Sequence, residues 1–229
     1  VGRRPRAPEG WLRCAPVGRL IGIEGIDGAG KRTLFGKLST ALTERGLSVR
    51  GRAFPRYGVD VHADLVRDAL HGDLGPVSDS PHAMGLLYAL DRRDAAEGLR
   101  ADLERYDVVL LDRYVASNAA YGAARLRQDA DGDFVRWVHD LEISRFRLPV
   151  PDAHLLLSVT PTVAASRVTR REATEVGRER DIYESDADLQ ARCAALYEQL
   201  ARRGWLAPWT VVDAVSTVDT NRLVDELFG

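Results

Sequence analysis

The chain has 229 residues and a mass of 25.3 kDa, with 45% hydrophobic and 29% charged residues, the size and balance of a single soluble globular domain. Its 32 basic and 34 acidic groups leave a net charge of −2, without the basic excess expected for bulk binding to nucleic acid or a membrane surface. Cys14 and Cys193 have no paired spacing, the histidines are scattered, and no apolar run approaches the roughly 20 residues of a membrane span, so a disulfide framework, a histidine metal triad and a spanning helix are excluded and the cytoplasm is the expected compartment.

In chain order, residues 1–18 are basic but lack an apolar signal-peptide core, and are expected to be a disordered extension before a domain over 19–229. RLIGIE (19–24) reads as a short strand entering a glycine loop, followed by a helix from Lys31 to Arg45 that Gly46 stops. LSVRGRAF (47–54) alternates as a second strand, and a helical stretch covers about 59–71. Ser80-Pro81 opens a longer helix, with proline suited to the first turn. DVVLLD (107–112) is a continuous apolar run of the kind a buried parallel strand needs. Helices are expected over 114–127 and 133–146, then a strand at AHLLLSV (153–159) and a helix from Thr160-Pro161. Leu189, Cys193, Leu196 and Leu200 recur at helical spacing, which makes Cys193 a core residue rather than a reactive thiol. WTVVDA (209–214) gives a fifth strand before a closing helix. Strands alternating with helices imply an α/β fold whose mainly parallel sheet is covered on both faces. The polar segment 167–185 reads either as a solvated helix and loop or as a lid over a phosphate site.

Gly25-x-x-x-x-Gly30-Lys31 satisfies the front of the Walker A pattern, in which backbone N–H groups turn inward on phosphate oxygens at a helix N-terminus. The loop runs through Gly28 and Ala29, and Lys31 is suited to follow charge on a transferring phosphoryl group. Two residues depart from the pattern: Asp27 sets a carboxylate inside the loop, and Arg32 stands where a metal-binding hydroxyl is usual, with Thr33 one position later. Asp112, closing the third strand, fits a Walker B acid that organises a metal.

A second site is expected opposite the loop. FPRY (54–57) and DRY (112–114) follow the second and third strands at the same sheet edge. Tyr88, Asp91 and Arg92 share one helix face, where a ring stacks on a base and a guanidinium bonds its exocyclic oxygen. Tyr114, Asn118 and Tyr121 share another. A nucleotide-hydrolysing switch does not need this second set. A deoxynucleoside kinase would need a base to activate a neutral hydroxyl, whereas the FPRY and DRY arginines suit an acceptor carrying phosphate.

GIDGAGKRT, FPRY, ALDR, LDRYVASNAAY and DIYE, in that order from about Arg19 onward, resemble bacterial thymidylate kinase. The resemblance implies a homodimeric, three-layer P-loop nucleoside monophosphate kinase fold with a five-stranded parallel sheet, transferring the ATP γ-phosphate to dTMP with Mg²⁺. It implies that Gly25, Gly28, Ala29, Gly30, Lys31, Arg32 and Thr33 hold ATP, that Asp27 faces the acceptor or a metal there, and that Phe54 and Tyr57 belong to the acceptor site. Tyr88 would stack on thymine, Arg92 would bond its carbonyl, Asn118 would read the base edge, and Tyr121 would crowd the sugar 2′ position. Arg113 would grip the dTMP phosphate in a fork. Asp181, Tyr183 and Glu184 match the end of a lid over about 167–183, the acids helping a metal together with Asp27 and Asp112, and the tyrosine reaching the nucleotide. Arg171 and Arg178 are the lid arginines expected to stabilise the transferring group.

Overall fold

The computed structural model of the chain describes residues 18–174, 182–215 and 218–228, with 171–174 described by their backbone alone. Strands β1 (Arg19–Glu24), β2 (Val49–Ala53), β3 (Val108–Asp112), β4 (Ala153–Ser158) and β5 (Trp209–Asp213) form one sheet in the order β2-β3-β1-β4-β5. Every pairing is parallel, and helices cover the sheet. The apolar runs explain the order: β3 is buried from Val108 to Leu111, while β2, with the exposed positions Arg50 and Gly51, takes an edge.

Helices α1 (Lys31–Glu44), α2 (Val61–Leu70), α3 (Pro81–Arg105), α4 (Val115–Arg125) and α5 (Asp133–Val138) fall near their expected positions. Gly46 takes a left-handed φ of 83° just past α1, and the Ser80 hydroxyl caps α3 by accepting from the Ala83 N–H at 3.2 Å. Beyond them lie α6 (Pro161–Thr174), α7 (Ile182–Ser185), α8 (Ala187–Arg203) and α9 (Thr220–Phe228). Leu189, Cys193, Leu196 and Leu200 are all buried on α8, and burial pushes the Cys193 thiol well up, away from a reactive thiolate. No described helix is long and apolar enough to cross a membrane.

One expectation needs correction. The helix read over 133–146 is α-helical only to Val138, and His139–Arg145 widens into a π-helix that ends with Phe146 N–H donating to Leu141 at 3.0 Å. A side-chain pattern of apolar and polar residues does not distinguish i→i+4 from i→i+5 bonding, so the sequence carried no sign of this change.

The α4–α5 contact depends on a missing side chain. A Cβ at Gly122 would overlap the Phe134 ring, itself fully buried in the core. Alanine would gain about 1 kcal/mol of helix propensity, but overpacking of a closed core costs about 1–3 kcal/mol or more, so the clash prevails. Gly122→Ala is expected to lower the midpoint of chemical denaturation; an unchanged or raised midpoint would show that this contact yields freely.

Candidate active site

Parallel pairing of β1 with β3 sets two loops side by side at the carboxyl edge, with Ile23 opposite Asp112 and the Arg113 N–H donating to Ile23 at 3.0 Å. A cleft of about 790 Å³ opens there, large enough for nucleotide ligands. Asp27, Gly28, Gly30, Lys31, Arg32 and Thr33 line it from the glycine loop. Phe54, Tyr57, Tyr88, Arg92, Asn118 and Tyr121 also line it, as do Asp112, Arg113, Tyr183 and Glu184. The two halves of the expected site therefore share one space.

In the loop, Gly28 has a φ of 78°, and a Cβ there would meet the Ala164 carbonyl of α6, so both conformation and proximity demand glycine. Gly30 starts α1 in a left-handed conformation without a side-chain cap, which leaves the first N–H groups of α1 available to an anion. Lys31 Nζ donates to the Gly25 and Ile26 carbonyls at 3.0 and 2.9 Å, leaving one ammonium hydrogen for a ligand. Desolvation and the nearby Arg113 charge lower the Lys31 ammonium to about 8, against the opposing influence of Asp27, Asp112 and Glu24. Gly25 and Ala29, expected to hold ATP, are not among the cleft-lining residues. Ala29 is buried, its carbonyl accepting from Arg167 Nη1 at 3.2 Å, because the loop turns these two positions toward β4 and α6.

Asp27 and Arg113 form a salt bridge at 2.5 Å. Tyr121 donates to the other Asp27 oxygen at 2.7 Å, and the Asp27 N–H donates to Gln190. Desolvation would raise the Asp27 carboxyl, but the Arg113 and Lys31 charges outweigh it and hold the group well below the usual carboxylate range. This resolves the paradox of a carboxylate in an anion-binding loop: its charge is matched by the arginine at the neighbouring strand end. Arg113 has a φ of 65° and also donates to Ser117 and Tyr197 at 3.2 and 3.3 Å.

Sequence reasoning missed the support beneath this arginine. Glu24, fully buried at the end of β1, accepts from the Tyr114 N–H at 2.9 Å, from Ser117 at 2.6 Å and from Tyr197 at 3.2 Å. Burial pushes its carboxyl up, opposed by Ser117 and Arg113. A charged residue ending an otherwise apolar strand was the available signal. Arg125, also missed, donates to the Tyr183 hydroxyl at 2.5 Å beneath the ring that stacks on Tyr121.

Two assignments change. Arg56 of FPRY, expected to suit a phosphate, does not line the cleft: Asp91 and Asp60 hold its guanidinium at 2.6 Å each, because Asp91 is fully buried and needs a cation. Tyr114, expected to share a site-facing helix face with Asn118 and Tyr121, does not line the cleft either: it is fully buried, and its hydroxyl donates to the Pro149 carbonyl at 3.1 Å. Arg178 and Asp181 lie outside the described residues, as do residues 1–17, and the Arg171 side chain is likewise not described.

A divalent cation is compatible with the acids present. Asp112 Oδ1 is buried and accepts no hydrogen bond among the described residues, and an anionic oxygen left in that state fits a cation or its bound water. Asp27 and Glu184 line the same cleft.

A family model described as thymidylate kinase matches residues 23–222. The chain is 50% identical to a thymidylate kinase of Mycobacterium tuberculosis over 208 residues, covering 91% of this chain and 96% of the relative. It is 35% identical to a thymidylate kinase of Leifsonia xyli over 214 residues, covering 88% and 90% of the two chains. A thymidylate kinase of Xanthomonas campestris is 34% identical over 211 residues, covering 91% of this chain and 82% of the relative.

Proposed function

The chain belongs to the thymidylate kinase family, and from that premise we propose how its residues divide the transfer of the ATP γ-phosphate to dTMP. The activity is that of a phosphotransferase of nucleotide biosynthesis, giving dTDP and ADP. The single observation that carries the division of roles is the meeting of Lys31, Asp27 and Arg113 at one cleft between loop and acceptor elements.

In this reading the ATP phosphates lie along the loop at the start of α1, and Lys31 follows the γ-phosphoryl group as it moves. The dTMP phosphate lies on Arg113, with Asp27 aiming the guanidinium. A phosphate monoester has a second pKa near 6, so its oxygen is anionic at pH 7 and attacks without a strong base. The obstacle is repulsion between two anions, and catalysis consists of positioning plus electrostatic stabilisation. Phe54, Tyr57 and Tyr88 provide the walls for nucleoside, Arg92 and Asn118 meet the base edge, and Tyr121 crowds the sugar. Arg171 and Arg178, in the segment 167–183 read as a lid, add positive charge. Asp112, with Asp27 and Glu184 and, in the same reading, Asp181, would hold Mg²⁺. When bound, Mg²⁺ neutralises charge on the β- and γ-phosphate oxygens. A homodimer and residence in the cytoplasm belong to the same proposal, as the family membership suggests.

A coupled assay offering ATP-Mg²⁺ with dTMP, dUMP, CMP and thymidine in parallel tests the reading. Product is expected fastest from dTMP; fast turnover of CMP or thymidine with none of dTMP would overturn it.

The Lys31 ammonium gives a pH signature. Its protonated form is the one that binds phosphate, so ATP affinity in the absence of acceptor should hold to about pH 8 and then weaken, by up to about tenfold per unit, as the proton is lost. Calorimetric titration between pH 7.5 and 9.5 measures this, and a flat dissociation constant contradicts it.

A further inference from the structure

The base-reading residues Arg92 and Asn118 are both held by one side chain that does not line the cleft. Glu142 is fully buried on the π-helix His139–Arg145. Its Oε2 accepts from Arg92 Nε at 2.5 Å, and its Oε1 accepts from Arg92 Nη2 at 2.8 Å and from Asn118 Nδ2 at 2.7 Å. The second Asn118 amide hydrogen goes to the Gly85 carbonyl at 3.0 Å. A carboxylate and a carbonyl can only accept, so the Asn118 amide is forced to present its NH₂ to the protein. Its oxygen then has no hydrogen-bond donor among the described residues, and the same is true of Arg92 Nη1 as a donor without an acceptor.

What the pair can offer a ligand is therefore one donor, from arginine, and one acceptor, from asparagine. Thymine presents the complement, a C4 carbonyl acceptor beside an N3–H donor. Cytosine presents the reverse, an exocyclic amine beside an unprotonated N3. A flipped amide would erase the distinction at N3. We infer that Glu142 is a positioning residue that sets the hydrogen-bond polarity of the base-reading edge, and so the preference for a 4-keto pyrimidine over a 4-amino one. It acts through Arg92 and Asn118 and touches no substrate. Glu142 follows the buried Val135 and Val138 by seven and four residues, so it continues the inward face of α5 into the π-helix. The inference rests on the dTMP-kinase reading above.

Glu142→Gln keeps the shape but supplies an NH₂ where one oxygen stood, which removes the constraint on Asn118 and the charge opposite Arg92. With dissociation constants for dTMP and dCMP measured by calorimetry, the variant is expected to bind dTMP at least about 10-fold more weakly, and the dTMP:dCMP preference should fall at least about 10-fold, since a mismatched buried donor or acceptor carries penalties of that order. ATP affinity should stay at the wild-type value. A variant that loses thermal stability but keeps the wild-type preference would overturn the inference, because a merely structural glutamate has that effect. Glu142→Asp preserves the acceptor-only character one methylene further away. It should weaken dTMP by about 3–10-fold while retaining the preference for thymine, in keeping with hydrogen bonds lengthened but not inverted. An Asp variant with wild-type dTMP affinity would also overturn it, whether or not the Gln variant folds. Wild-type protein that binds dCMP better than dTMP, or binds neither, would defeat the kinase reading instead.

Discussion

Arg113→Ala is expected to lower kcat/KM for dTMP by about 10³-fold, the usual scale for removing a charged group from a desolvated phosphate site. ATP affinity should change by no more than about threefold, because the donor phosphates engage loop N–H groups rather than this guanidinium. The effect resides in the side chain: Arg113 has a φ of 65°, a conformation no easier for alanine, so the backbone cost is the same in both proteins. The substitution also strands Asp27, whose charge is otherwise matched by the 2.5 Å salt bridge, and a stranded carboxylate in the loop repels ATP. Adding Asp27→Asn to Arg113→Ala should therefore restore any lost affinity for ATP measured without Mg²⁺, where a metal role of Asp27 does not enter, while dTMP turnover with Mg²⁺ stays lost. Equal losses for the two nucleotides in both proteins would show that Arg113 supports the loop and does not grip the acceptor. Steady-state kinetics with each substrate varied in turn separates these outcomes.

Lys31→Met should give the opposite division. Methionine fills similar space without charge, and kcat is expected to fall by about 10²–10³-fold, the scale for loss of one preorganised donor to the migrating charge. Affinity for dTMP should hardly move. Two of the three ammonium hydrogens serve the Gly25 and Ile26 carbonyls, so loosening of the loop accompanies the chemical loss and the ATP KM should rise as well. A variant that retains wild-type kcat would remove Lys31 from the chemistry. Taken together, the two variants assign Lys31 to the donor and Arg113 to the acceptor.

How much of this was legible in the sequence depended on whether a residue's partner lay nearby in the chain. The glycine loop, the apolar β3 and the helical spacing of Leu189, Cys193, Leu196 and Leu200 are local patterns, and each element formed where its pattern placed it. The cleft-lining positions of Tyr88, Arg92, Asn118 and Tyr121 were legible because helix periodicity fixes which residues share a face. Pairings across the chain were not. Asp27 reaches Arg113 and Glu24 reaches Ser117 and Tyr197 only because parallel pairing sets β1 beside β3 and α8 packs on α4. Arg56 looked like a phosphate ligand for the same reason: the buried Asp91 that takes its guanidinium lies 35 residues away. Glu142 carried least signal of all. In HDLEISR it is one charged helix residue among several, and its partners Arg92 and Asn118 lie 50 and 24 residues away.

The most direct measurement is a crystal structure with dTMP and a non-hydrolysable ATP analogue bound together. The account requires the dTMP phosphate on Arg113, its base edge against Arg92 and Asn118, and the γ-phosphate beside Lys31 in line with the acceptor oxygen. A dTMP molecule bound elsewhere, with Arg113 still closed on Asp27 alone, would contradict it.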